Sequence, residues 1–247
     1  MYPQSISFFM PAYNEEKNIA SAIEDGVKFL KANFKDYELI VVNDGSKDKT
    51  KEIAESYSRE NPKIKVINHP RNLQYGRAFK TGFESSTKEL IFYTDSDRQF
   101  NVNEIHNLMK YISKYDMVIG YRKNRQDKKM RLFYSWLYNL ALRFLLNIPF
   151  RDIDCAFKIC KKKVIDKIRP FTCVRSADSE LMGKALAYGF TAKQIPVSHY
   201  PRKAGTSEAE TGGFFAFVKP SIIIYLIKET LALRLKINKI RAKNHKS

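Results

Sequence analysis

Short apolar runs alternate with amphipathic stretches over the first 120 residues. The runs at 6–10 (ISFFM), 38–42 (ELIVV), 64–67 (IKVI), 89–93 (ELIFY) and 116–119 (DMVI) have strand length, and those nearest to continuously apolar suit strands covered on both faces. Between them, 15–32, 47–58, 76–85 and 102–113 read as helices. The alternation predicts an α/β fold, a mostly parallel sheet flanked by helices. Asn14 and Asn101 are expected helix caps, and Ser46, Lys49 and Thr50 stand where the second helix opens. In such a sheet the ligand lies beyond the carboxyl ends of the strands.

After residue 120 the pattern changes. The run 132–148 (LFYSWLYNLALRFLLNI) is broken only by Ser135, Asn139 and Arg143, which recur every four residues and predict one polar stripe on an apolar helix over 130–148. A second apolar stretch, 214–235, contains Lys219, Pro220, Lys228 and Glu229. Neither is a comfortable membrane span. Trp136, neighbouring Tyr and Phe, and flanking Lys and Arg fit helices lying in the bilayer interface, the alternative being core helices of a soluble domain.

Charge favours the interface. Of the net +18, residues 121–175 hold 15 Lys or Arg against four Asp, and no acid follows Glu229. Such a surface suits an anionic partner. Nucleic acid is disfavoured, because no RNP, KH or helix-turn-helix pattern is present and the basic stretches flank apolar helices rather than a stacking platform. The 44% hydrophobic content supports a real core. Cys155, Cys160 and Cys173 are too sparse for a disulfide framework, and no histidine stands at zinc-ligand spacing from them. No signal peptide is read at the N-terminus.

Candidate chemistry collects in the loops after the strands. Tyr13 can stack a base, with Glu15 and Asp44 placed to accept hydrogen bonds from its imino nitrogen or from ribose hydroxyls. Arg71 and Arg77 flank Gly76 and suit phosphate. The fourth run delivers Asp95-Ser96-Asp97, two hard oxygen ligands suited to a divalent cation that also holds a diphosphate, followed by Gln99.

The series PAYNEE, VVNDGSKDKT, RNLQYGRAFKTGF and TDSDRQF resembles the family 2 glycosyltransferases of GT-A fold over about the first 125 residues. The remainder is similar to the polyprenyl-phosphate glycosyltransferase branch, which includes dolichol-phosphate mannose synthases. It carries this resemblance in Gly120-Tyr-Arg122, Arg151-Asp-Ile-Asp-Cys-Ala-Phe-Lys158 and Tyr200-Pro-Arg-Lys-Ala-Gly-Thr-Ser207. The resemblance implies that Pro11, Tyr13, Glu15, Asp44, Arg77 and Ser96 hold the nucleotide. It implies that Asp95, Asp97 and Gln99 position Mg²⁺ or Mn²⁺ with the diphosphate, and that Arg122, Arg131 and Arg202 meet the acceptor phosphate, with Arg125 and Lys128 in support. It further implies an organisation of 1–125 for the nucleotide sugar, 126–210 for the acceptor, and 211–247 as an amphipathic helix with a basic tail.

The expected reaction is inverting transfer of a hexose from a UDP- or GDP-sugar to a polyprenyl phosphate, at the cytoplasmic face of a membrane, by a peripheral protein. A homo-oligomer or a separate membrane partner is compatible with this. A phosphate acceptor is already largely ionised at neutral pH. A saccharide or protein hydroxyl, the alternative acceptor, must lose a proton and needs a carboxylate such as Asp154 or Asp152 within reach.

Overall fold

The computed structural model describes residues 1–123, 125, 129–202, 204 and 220–244. Its strands are β1 (Ile6–Ala12), β2 (Tyr37–Asn43), β3 (Ile64–Asn68), β4 (Leu90–Thr94), β5 (Met117–Lys123), β6 (Phe157–Lys161) and β7 (Ala192–Ser198). Its α-helices are α1 (Ile19–Asn33), α2 (Thr50–Glu60), α3 (Tyr75–Ser85), α4 (Ile105–Ile112), α5 (Lys129–Leu146), α6 (Lys162–Ile168), α7 (Ala177–Ala187) and α8 (Pro220–Asn244).

One seven-stranded sheet has the order β3-β2-β1-β4-β6-β5-β7. β1 pairs in parallel with β2 on one side and β4 on the other. The chain thus reverses its direction of growth at β1, and the crevice between the ends of β1 and β4 is the expected ligand position. β6 enters antiparallel between β4 and β5, and β7 then adds parallel to β5. The segment after residue 125 therefore builds part of the same sheet that the first half begins.

Alternation along the strands makes two cores. Ile6, Phe8 and Met10 of β1 pack with α1 and α4 on one face, while Phe9 packs with Phe79, Phe83 and Tyr93 on the other. Both faces are covered, which is why the parallel strands are apolar almost without interruption. The three thiols are buried and unpaired.

Of the two expected helix caps one is corrected and one holds. Asn14 has φ 55°, a left-handed conformation Asn tolerates, and its carboxamide accepts from the Lys47 N–H at 2.8 Å instead of capping a helix. The helix opens four residues later, at Asn18. Asn101 does cap its short 3₁₀ turn, accepting from Asn103 N–H at 3.0 Å.

The apolar helix α5 buries one member of its polar stripe beside apolar side chains and leaves another, Arg143, exposed. Asn139, from the polar stripe, is buried and accepts from Ile153 N–H at 2.7 Å. Leu142 and Leu146 accompany it inward, while Trp136 is 58% and Phe144 79% exposed. Among the described residues no helix is long and apolar enough to cross a membrane.

Candidate active site

The loops after β1 and β2 are stapled together before they can meet a ligand. Glu15 N–H donates to Thr50 Oγ1 at 2.8 Å, Glu16 N–H to Asp48 Oδ2 at 3.0 Å and Asn14 N–H to Ser46 Oγ at 3.0 Å. Asp44, at the end of β2, accepts from His69 Nδ1 at 2.6 Å and from Leu73 N–H at 2.9 Å, both on Oδ1. Its Oδ2 stays open. Ser96 turns its hydroxyl inward to the Pro11 carbonyl at 2.9 Å, which ties the end of β4 to the end of β1. Tyr13 is half-buried, and Arg77 is exposed on the first turn of α3. Gly76 does allow a close approach, but to protein: a Cβ there would lie 2.4 Å from the Val174 carbonyl oxygen.

The acidic pair is bound to a distant part of the chain. After β7 the backbone folds back, so that Tyr200 N–H donates to the Gln99 carbonyl at 2.9 Å and Gln99 Nε2 donates to the Tyr200 carbonyl at 3.1 Å. This return places Arg202 between two carboxylates, at 2.8 Å from Glu15 and 3.1 Å from Asp97. Asp97 Oδ1 also accepts from Gln99 N–H at 3.1 Å. Asp95 accepts no hydrogen bond from the described residues. Burial, with the charges of Asp97 and Asp178 beside it, pushes its carboxyl up to about 8. Burial also raises Asp97 and Glu15, against the opposing pull of Arg202.

Beneath Asp95 lies a buried network whose role was not legible in the sequence. Lys158, on β6, sends Nζ to Asp178 Oδ1 at 2.5 Å, to the Cys155 carbonyl at 2.5 Å and to the Tyr93 hydroxyl at 3.1 Å. Tyr93 donates to the same Asp178 oxygen, and Tyr75 donates to the other at 3.2 Å. Burial and the Asp178 charge hold both phenols well above their ordinary range. A lysine inside an apolar strand, FKICK, was the available signal, because a buried ammonium requires a partner. Asp178 is that partner, twenty residues on in sequence.

On the acceptor side Arg122, at the end of β5, makes a two-pronged contact with Asp152: Nε to Oδ2 at 3.0 Å and Nη2 to Oδ1 at 2.7 Å. Burial alone would raise Asp152, but the Arg122 hydrogen bonds and charge outweigh it and hold the carboxyl below its usual range. Asp154, two residues on, has no such partner among the described residues. Burial and the Asp178 charge push it up to about 7, with Arg122 and Lys158 opposing. Arg125 donates to Ser135 Oγ at 2.9 Å. Lys128 and the Arg131 side chain lie outside the described residues.

The donor set fits a divalent cation. Among the described residues no three His, Cys, Asp or Glu gather to cage a metal by themselves. Asp95, short of hydrogen-bond donors, and Asp97, held by a guanidinium, could supply hard oxygens to an ion that would take its other ligands from phosphate and water.

Carboxylates at the switch point of an open α/β sheet, with arginines beyond them, place this chain among α/β proteins whose ligand site lies at the carboxyl ends of the strands. Residues 7–169 match the family model described as Glycosyl transferase family 2, and the chain belongs to that family. A dolichyl-phosphate beta-glucosyltransferase of Trichomonas vaginalis is 30% identical over 210 residues, 77% of this chain and 62% of that protein. An undecaprenyl-phosphate 4-deoxy-4-formamido-L-arabinose transferase of Pseudomonas fluorescens is 30% identical over 214 residues, 84% of this chain and 61% of that protein. The chain thus spans less than two thirds of the length of these relatives. In fold it is similar to glucosyl-3-phosphoglycerate synthase from Mycobacterium tuberculosis, crystallised with Mn²⁺, UDP-glucose and glycerol 3-phosphate. That likeness has a TM-score of 0.63 at 18% identity and covers 85% of this chain and 76% of that one.

Proposed function

We propose that this protein transfers a hexose from a UDP- or GDP-sugar to a polyprenyl phosphate at the cytoplasmic face of a membrane, inverting the anomeric centre. The observation that carries the proposal is the Asp95–Asp97 pair at the switch point, with Arg202 joining Asp97 to Glu15. The polyprenyl-phosphate substrates in the names of the two relatives support the acceptor.

In this reading Tyr13 stacks the base and Asp44 Oδ2 accepts its imino proton. Asp95 and Asp97 hold Mg²⁺ or Mn²⁺, which offsets the charge that develops on the leaving diphosphate. Gln99 secures the Asp97 carboxylate through its backbone N–H. Arg122, fixed by Asp152, and Arg202 orient the acceptor phosphate for in-line attack on the anomeric carbon. The exposed aromatics of α5 and the basic flanks seat the protein on lipid.

Transfer of radiolabelled sugar into an organic-extractable lipid tests the proposal. Label that stays aqueous with every UDP- and GDP-hexose supplied defeats it. A hydroxyl acceptor is a second reading, favoured by Asp154 at about 7, where a carboxylate works as a general base. Asp154→Asn distinguishes the two: a loss of three or more orders of magnitude, of the size lost with a general base, favours the hydroxyl, whereas a loss of about tenfold or less favours the phosphate.

A further inference from the structure

Helix α8 carries six Lys or Arg and one acid, Glu229. The fold spends that acid on the backbone of another helix. Glu229 Oε1 accepts from Val174 N–H at 2.7 Å, and Oε2 accepts from Arg175 N–H at 3.1 Å and Ser176 N–H at 2.8 Å. These three consecutive amides lead into α7, whose open end favours an anion. A carboxylate from α8 thus satisfies the N–H of α7's N-cap residue, Ser176, and the two amides before it, at a helix end where the N-cap side chain makes no capping hydrogen bond. The other end is also held, by Asn244 Nδ2 on the Ala187 carbonyl at 2.8 Å. In the middle Gly183 lets the helices close, since a Cβ there would come within 2.4 Å of the Ile237 side chain.

The capped turn leads straight to the site. Asp178, in the first turn of α7, receives Lys158, Tyr93 and Tyr75 and raises both Asp95 and Asp154. The same loop is fixed to α3, because the Val174 carbonyl accepts from Gly76 N–H at 2.9 Å. On its outer side α8 exposes Ile224, Ile227, Leu231 and Leu235 among Lys228, Arg234 and Lys239. An apolar face set among cations complements an anionic lipid surface.

We infer that Glu229 is a positioning residue that couples the seating of α8 on anionic lipid to the order of α7's first turn, and through it to Asp178. This rests on the lipid-surface reading above. A helix held by lipid keeps its carboxylate under the three amides; a helix free to rock releases them.

The test uses the full chain, with amide hydrogen exchange across 172–187 measured with and without phosphatidylglycerol vesicles, and cosedimentation run in parallel. In the unsubstituted protein, vesicles are expected to slow exchange there about fivefold, the scale of one helix cap. Glu229→Gln removes the charge and is expected to cosediment as well as the parent while showing no vesicle-dependent slowing. Should Glu229→Gln fail to fold, Glu229→Asp, which keeps the charge but draws it back by one methylene, is expected to show a reduced slowing. Equal slowing in parent and variant overturns the inference. A parent that cosediments without any change at 172–187 overturns the coupling alone, whereas a parent that does not cosediment overturns the lipid reading together with the coupling.

Discussion

Replacing Lys158 by Met keeps the length of the side chain and deletes its charge. Lys158 and Asp178 side chains are 2% and 6% exposed, so water does not reach the gap. Breaking a buried ion pair on one side costs about 3–5 kcal/mol, mostly for the charge left behind. Here Asp178 keeps the hydroxyls of Tyr93 and Tyr75, so the lower end applies, about 3 kcal/mol. For a chain of this size that corresponds to a fall in Tm of roughly 6–12 °C. The informative construction is the cycle of Lys158→Met, Asp178→Asn and the double variant, followed by thermal and urea unfolding. Once Asp178 is neutral, losing the ammonium matters less, and the double variant is expected to recover about 1–3 kcal/mol relative to the sum of the singles. Strict additivity would refute the claim that the two charges are a mutually dependent pair.

Other outcomes follow from the same geometry. Asp95 and Asp154 bind their protons more tightly folded than unfolded, so their contribution to metal-free stability is fully present below about pH 4 and is lost as pH rises through about 7 to 8. Melting curves at pH 5, 7 and 9 check this: Asp95→Asn should flatten the decline, and a parent and variant with the same slope would refute it. Arg122→Lys cannot reproduce the two-pronged contact with Asp152, and about 10–100-fold loss in kcat/KM for the lipid acceptor is expected, with the donor KM little changed. Phe144→Ser, at a position 79% exposed, should leave Tm within about 2 °C but weaken vesicle cosedimentation about tenfold or more.

What the sequence revealed depended on how local each signal was. Strands β1, β2 and β4 are unbroken or nearly unbroken apolar runs, because both faces of the sheet are covered, β3 was read from Ile64, Val66 and Ile67 despite Lys65, and the loops after all four carry their chemistry within a few residues of the strand end. Strands β6 and β7 (FKICK and AKQIPVS) were not read as strands, since lysines break their apolar pattern. Lys158 is tolerated there by a partner that sequence spacing does not reveal. The stripe of Ser135, Asn139 and Arg143 marked α5 as amphipathic but not which side faces in, and Asn139 is inside because it satisfies the Ile153 amide. Asp178 and Glu229 were invisible for a related reason. Their partners are set by how α7 and α8 pack, a tertiary fact with no short-range trace.

The electrostatics of the site runs against that of the molecule. A chain of net charge +18 gathers Glu15, Asp95, Asp97, Asp152, Asp154 and Asp178 around Arg122, Lys158 and Arg202. Six carboxylates against three cations cannot all ionise at low cost, since two like charges 4 Å apart repel by about 4 kcal/mol at an effective dielectric constant of 20. Without a metal the protein relieves this in two ways: protons stay on Asp95 and Asp154 to unusually high pH, and Arg202 occupies the gap between Glu15 and Asp97. Both are arrangements that a divalent cation with a diphosphate would displace. The basic surplus meanwhile lies on the second half of the chain, where the lipid face is proposed. In the proposed function the strain of the acidic cluster would be the same property that favours a metal-bound donor, and a substitution that relieves it should stabilise the empty protein while weakening its grip on that donor.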